Sequence, residues 1–481
     1  MRRSDEAKHF LAVGDTGVGK SHVIRQLLYY ARACGDLCVV LDSKLEFIPE
    51  FYDATRGDKI LSPADERCVW WDLGNELTDE IDAIALTTSL YASPLDSSGH
   101  YNGKWFDEHA RNIAAYLLAN SNPRPSCEEF GRWLCDPENE IKPRLAGSEH
   151  IGTLNQSAAN QYAGVVGTLN KVGRALRMLP RDSELKHRQR FTIREWAESP
   201  VGWLFLPNTA ETRDALRPLQ SGWVDMCIAR VMSSKQRAKR IWIVLDELDT
   251  LGPLSKLHDG MTQLRSTGHP MVLGIQNFEQ LEDRYGKQAR TIFSQAFTKF
   301  ILAVSEGNTA KALEGLIGDE EIRRFRENRT GSLFGTRDRA GFSGPEDVRK
   351  PLIWSSEIQG LPDLCGYFLQ RPTTEKIGLN VVNFKLPYMP PVKHCEGLVR
   401  RKLLGPVPPA KEAQPAPPPG FVAQPATSRS PSAGAPAKTG ARTVPDSAAF
   451  LAQSSTWRPP LDLTPKSKPD ANNSHPKGAY D

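Results

Sequence analysis

The chain has 481 residues, 39% hydrophobic and 25% charged, with a formal net charge of +4. That length points to two or more domains with a sizeable core, and the absence of any run of about eighteen apolar residues excludes an obvious membrane span. The small positive charge neither demands nor excludes nucleic acid, since a local basic surface decides that. The start Met1-Arg2-Arg3-Ser4-Asp5-Glu6-Ala7-Lys8 lacks the apolar stretch of a signal peptide. The eight cysteines form no pair of CxxC knuckles, so reduced thiols are expected rather than a metal site.

The first predicted element is a strand in the apolar run His9-Phe10-Leu11-Ala12-Val13. It enters Gly14-Asp15-Thr16-Gly17-Val18-Gly19-Lys20-Ser21, and the helical pattern Val23, Ile24, Leu27, Leu28, Ala31 follows, closed by Gly35. Strand, glycine-rich loop and helix in that order are the context of a phosphate-binding loop. The glycines let consecutive N–H groups face anionic oxygens at the positive end of a helix. Lys20 would reach the β and γ phosphates and Ser21 would ligate Mg²⁺, so the expected ligand is ATP or GTP. A glycine-rich turn that merely matches the pattern would need neither the Lys-Ser pair nor the flanking periodicities.

Strand signals follow at Leu37–Asp42 and Arg67–Trp71, and such alternation with helices predicts a parallel sheet. From Trp105 the texture is helical only. Trp105, Phe106, His109, Ile113, Tyr116 and Leu117 repeat at helical spacing, stop at Asn120-Ser121-Asn122-Pro123, and further helical patterns run to Met178. Strands return at Gly202–Leu206. A basic stretch Lys235–Arg240 then runs into Ile241-Trp242-Ile243-Val244-Leu245-Asp246-Glu247, a Walker B pattern. A short aliphatic run reads as a buried parallel strand, which delivers Asp246 and Glu247 to the ligand-binding edge. Asp246 suits the Mg²⁺ shell and Glu247 suits activation of the attacking water, the feature that separates a hydrolase from a kinase. An ordinary solvated strand end is the plainer reading of the two carboxylates.

Next come an amphipathic helix through Leu254, Leu257, Met261 and Leu264, with Arg265 in its last turn and Gly268 at its end, and a strand Pro270–Ile275. Gln276 ends that strand and could either sense the γ-phosphate or simply meet solvent. Arg265 taken alone reads as a charge stabilising a helix C-terminus. Strand signals at Lys299–Val304 and Gly366–Leu369 complete the α/β part. After about Leu404 proline, alanine and serine dominate, a composition expected to be disordered, with Ala448–Leu451 and Thr456–Leu461 as short apolar islands suited to docking. The expected organisation is an α/β nucleotide-binding domain in two parts (1–100 and 191–395), an inserted all-α domain (101–190) and a disordered Pro/Ala/Ser-rich tail (405–481).

The segments 245–254 (Leu-Asp-Glu-Leu-Asp-Thr-Leu-Gly-Pro-Leu), 264–268 (Leu-Arg-Ser-Thr-Gly) and 273–281 (Leu-Gly-Ile-Gln-Asn-Phe-Glu-Gln-Leu) resemble type IV secretion coupling proteins, the TraD-type conjugative DNA-transfer ATPases. The likeness extends collinearly from Asp42–Phe47 and Ile60–Pro63 through Trp71–Glu76 and Arg213–Leu219 to Trp354–Pro362. It implies a RecA-like P-loop NTPase with an inserted all-α domain, a homo-hexameric ring at the cytoplasmic face of the bacterial inner membrane, and DNA moved from a relaxosome to a secretion channel. It also implies that Arg265 is an arginine finger given to a neighbouring subunit and that Gln276 couples γ-phosphate loss to ring movement. Coupling proteins usually carry transmembrane helices ahead of the P-loop, whereas thirteen residues precede Gly14 here. Membrane association would then need a missing N-terminal segment or a partner.

DNA contact in that reading is sequence-independent, through short basic clusters at Lys235–Arg240, Arg323-Arg324-Phe325-Arg326 and Arg349-Lys350, each of which could also be a solvated face. The alternatives are a soluble DNA-pumping ATPase of the FtsK and HerA kind, a nucleotide-gated recruitment module with little hydrolysis and, more remotely, a P-loop kinase.

Overall fold

The computed structural model describes residues 3–92, 101–234, 239–330, 339–370 and 379–402. The tail 405–481 with its two islands, and residues 235–238 of the first basic cluster, lie outside the described residues. Thirteen strands occur among the described residues: β1 (Phe10–Val13), β2 (Leu37–Asp42), β3 (Lys59–Ile60), β4 (Trp70–Trp71), β5 (Arg190–Phe191), β6 (Leu204–Pro207), β7 (Ile241–Leu245), β8 (Met271–Ile275), β9 (Thr298–Ile301), β10 (Asp319–Thr330), β11 (Arg339–Pro351), β12 (Cys365–Gln370) and β13 (Asn380–Lys385). Nine of them form one sheet in the order β13-β12-β9-β1-β8-β7-β2-β6-β3. From β9 to β3 every pairing is parallel, while β12 and β13 extend the β9 edge antiparallel. Helices cover both faces of such a sheet, which is why β1, β2, β7 and β8 are buried at every residue and read as unbroken apolar runs. The core includes four fully buried tryptophans, Trp71, Trp203, Trp223 and Trp242, with Phe10 stacked on Trp242 at 5.6 Å between ring centroids.

The Arg67–Trp71 run does not enter this sheet as a full strand: it meets the edge strand β3 only through an isolated parallel bridge between Cys68 and Ile60. Only Trp70–Trp71 is strand, and it pairs in parallel with β5, where the chain returns from the helical segment. The bulk of Trp71 explains the diversion: its indole is buried edge-on against Trp223 on the helix Arg213–Ser233, at 5.6 Å. Glu76 closes the same junction, accepting from Trp71 Nε1 at 3.0 Å, Ile193 N at 2.7 Å and Arg194 N at 2.9 Å. Between β4 and β5 the long elements are the helices Glu80–Leu90, Tyr101–Asn120, Cys127–Cys135 and Ala159–Leu176. Among the described residues no helix is long and apolar enough to cross a membrane.

The sheet is tightest where β8 passes the end of β7. A Cβ on Gly274 would lie 1.9 Å from the Asp246 carbonyl oxygen, so only glycine lets the two strands close there. Gly274→Ala is expected to destabilise the chain by about 1–3 kcal/mol, or to abolish folding, because backbone has nowhere to yield. Thermal and urea unfolding of the purified variant would check this, and an unchanged midpoint would refute it.

Candidate nucleotide site

The loop Gly14–Ser21 joins β1, a central strand, to the helix Lys20–Ala33. Gly17 at φ 90° and Gly19 at φ 121° occupy backbone conformations open to glycine, which let the chain turn tightly between β1 and the helix. The turn is pinned from outside: Asp15 N donates to Ala303 O at 2.8 Å, Ser305 N donates to Asp15 Oδ2 at 2.7 Å, and Leu364 N donates to Val18 O at 2.8 Å. Lys20 is 4% exposed, and its Nζ donates to Gly14 O and, at 3.2 Å, to Asp15 O. Burial lowers its pKa, opposed chiefly by the Glu247 carboxylate.

Asp246 and Glu247 follow directly on β7 and are 2% and 5% exposed. Neither is a solvated strand end. Asp246 Oδ2 and Glu247 Oε1 are buried and have no hydrogen-bond partner, a costly state for carboxylates unless a cation or donor completes it. Burial, reinforced by Asp42, Glu46 and Glu247, pushes the Asp246 carboxyl up to about 7. Gln276, one residue past β8, stands between the loop and these acids because β8 lies between β1 and β7 in the sheet. Its Oε1 accepts from Thr16 Oγ1 at 3.0 Å and its Nε2 donates to Glu247 Oε2. One side chain therefore ties the phosphate loop to the Walker B acid.

Sequence reasoning left Asp42 without a role, and the structure gives it one. At the end of β2, beside β7, it is fully buried and accepts from the backbone N–H groups of Glu46, Phe47 and Ile48 at 2.8–2.9 Å. Burial raises it to about 6. Ser43 Oγ lies 3.2 Å from Thr250 Oγ1, which donates to Glu247 O at 2.8 Å, so the β2 and β7 loops are locked together under the acids.

Arg265 is not brought to this site. It is exposed in the last turn of the helix Leu257–Thr267, which runs back from the β7 end to the opposite edge of the sheet, and its guanidinium lies 4.3 Å over the Phe297 ring just ahead of β9. Gly268 at φ 87° closes that helix. His9, buried at φ 65° just ahead of β1, holds the same edge: its Nε2 is 2.6 Å from Met261 O and its Nδ1 accepts from Met271 N at 3.0 Å. Burial lowers this imidazole to about 4, so at neutral pH it is uncharged, with a proton on Nε2 to give and a lone pair on Nδ1 to receive.

Two of the basic clusters come together on one hairpin, where β10 pairs antiparallel with β11, Arg323 facing Asp347 and Glu321 facing Arg349 in register. Arg349 is paired with Glu321 at 3.2 Å. Of the third cluster, Arg240 is committed to the fold through Glu6 and Arg3 O.

A parallel sheet with its phosphate loop on a central strand and its acidic strand two places away defines a P-loop nucleotide-binding protein. The family profile described as the type IV secretion-system coupling protein DNA-binding domain matches residues 1–382, and the chain belongs to that family. It is 31% identical over 374 residues to the coupling protein TraD of Escherichia coli (strain K12), covering 76% of this chain and 51% of TraD. It thus spans about half the length of that curated relative. Among solved structures it resembles the bacterial conjugative coupling protein TrwBdeltaN70 with a TM-score of 0.70 at 26% identity, covering 83% of this chain and 89% of the other. It also resembles the plasmid coupling protein TrwB in complex with ADP and Mg²⁺, TM-score 0.68 at 25% identity, with 83% and 89% covered. The fold is therefore the RecA-like one, with a predominantly parallel sheet.

Proposed function

We propose that this chain is an ATP-hydrolysing motor that moves DNA, without reading its sequence, from a relaxosome toward a type IV secretion channel. It would work as a homo-hexamer at the cytoplasmic face of the bacterial inner membrane. The observation that carries the reading is the Thr16–Gln276–Glu247 chain of hydrogen bonds, which joins the loop suited to phosphates with an acid suited to activating water. Family membership supports the coupling role, and the likeness to TrwB solved with ADP and Mg²⁺ supports the ligand.

Residues Gly14, Asp15, Thr16, Gly17, Val18, Gly19, Lys20 and Ser21 hold the phosphate chain in this proposal, with Lys20 countering charge on the outer phosphates. Ser21 and Asp246 would hold Mg²⁺. Their fit is good because Asp246 Oδ2 is buried and unpartnered, and because Mg²⁺ is usually held by one or two side-chain oxygens, the nucleotide and water, rather than by a complete protein cage. Bound there, Mg²⁺ would neutralise charge on the β and γ oxygens. Glu247 orients and deprotonates the attacking water, and Gln276 reports the state of the γ-phosphate to the loop and to Glu247. Arg265 serves the site of a neighbouring copy in this proposal, a reading supported by its exposed place on the far sheet edge, away from its own phosphate loop.

ATP turnover by the purified chain, followed against protein concentration with and without single- and double-stranded DNA, tests the proposal. Turnover should rise with both DNA and concentration, stimulation should fall steeply with salt, and Lys20→Ala should cut turnover by roughly 100-fold or more. ATP binding with no DNA-dependent turnover at any concentration would instead favour a nucleotide-gated recruitment module.

A further inference from the structure

A phosphate loop fixes only one end of a nucleotide, and the other end meets whatever stands beyond the first turn of the following helix. There the chain carries His22, next to Ser21, with the Tyr388 ring lying on it at 5.4 Å between centroids and 37° between planes. Tyr388 is 69% exposed, an unusual state for a tyrosine held in an ordered contact. His22 Nε2 is buried without a hydrogen-bond partner, so polar pairing does not explain the arrangement.

Tyr388 sits on a strap that crosses the helix start. At one end Leu386 N donates to Leu364 O at 2.7 Å, and Leu364 N in turn donates to Val18 O of the phosphate loop at 2.8 Å. At the other, His394 N donates to Pro49 O at 2.7 Å, and the strap finishes on Arg401, bound to Glu184 at 2.6 Å and to Met178 O at 2.8 Å. Pro387, Pro390 and Pro391 restrict the backbone between these anchors. The exposed side chain is thus held by an anchored segment, and Leu386 two residues before it packs with Phe384 on the small apolar cluster Val18, Val23 and Leu302.

We propose that Tyr388, backed by His22, is the platform on which the base of the bound nucleotide stacks, purines in preference to pyrimidines because their larger π face covers more of the ring. The proposal deepens the nucleotide-binding reading and rests on it. An aromatic ring beneath a base is worth roughly 5- to 150-fold in affinity. His22 is a positioning residue here, since it touches Tyr388 rather than the base.

Equilibrium binding of ATP, GTP, CTP and inorganic tripolyphosphate to the full chain, each with Mg²⁺, tests it. Tyr388→Ala is expected to weaken ATP and GTP about tenfold or more and to erase their advantage over CTP, while tripolyphosphate affinity stays unchanged and Tyr388→Phe behaves as the parent. Unaltered ATP affinity in Tyr388→Ala overturns the proposal while leaving ATP binding intact. Equal weakening of ATP and tripolyphosphate overturns it too, because the ring would then act by shaping the loop. A parent chain that binds neither ATP nor tripolyphosphate removes the proposal and the nucleotide reading together.

Discussion

Replacing Arg265 by alanine is expected to lower ATP turnover by roughly 10³- to 10⁵-fold, the range that arginine fingers contribute in P-loop hydrolases. The magnitude follows from a full positive charge set against the charge that develops on the transferring phosphoryl group in a water-poor interface. The geometry makes the prediction directional, because Arg265 stands at the sheet edge opposite its own phosphate loop, and in the proposed ring the site it would serve is another copy's. Mixing should therefore rescue it. Arg265→Ala copies retain an intact site and Lys20→Ala copies retain an intact arginine, so a mixture of the two inactive variants should regain turnover at interfaces where the second flanks the first. Should Arg265→Ala lose less than about threefold, its role reduces to a charge at a helix C-terminus, an effect worth under about 1 kcal/mol at an exposed site.

The second large effect is expected at Glu247. Glu247→Gln keeps the shape and removes the base, so turnover should fall by roughly 10²- to 10⁴-fold while ATP affinity changes little. Glu247 Oε1 is buried without a partner and Oε2 is held by Gln276, which leaves one oxygen to take up a water. Single-turnover hydrolysis alongside nucleotide binding separates the two quantities. If affinity and turnover fell together, the side chain would be acting as part of the binding site rather than as the base.

How far the sequence led can be judged residue by residue. The phosphate loop was legible because its eight residues are contiguous and flanked by unmistakable periodicities, and the site acids because β7 is a single aliphatic run. The position of Gln276 was legible too, since neighbouring parallel strands end on one edge. What escaped depends on distant pairing. The diversion of Trp70–Trp71 into a two-stranded sheet requires knowing that Trp71 meets Trp223, and the β10–β11 hairpin is built from charged, weakly alternating segments with no strong apolar face. Asp42 reads as a strand end until its three backbone donors are seen. Tyr388 reads as a residue in a proline-rich link, and nothing local announces that it returns to the phosphate loop.

The grip of His9 on Met261 O and Met271 N has a mechanical consequence. β1 is a stiff rod of four residues, about 13 Å long, carrying the phosphate loop at one tip and, through this imidazole, the arginine helix at the other. In the proposed motor, a displacement that nucleotide release produced at one tip would be delivered at the other, where Arg265 stands. In the ring proposed above, that wiring would set the copies out of phase, each event priming one neighbour in a fixed rotational sense instead of all at once.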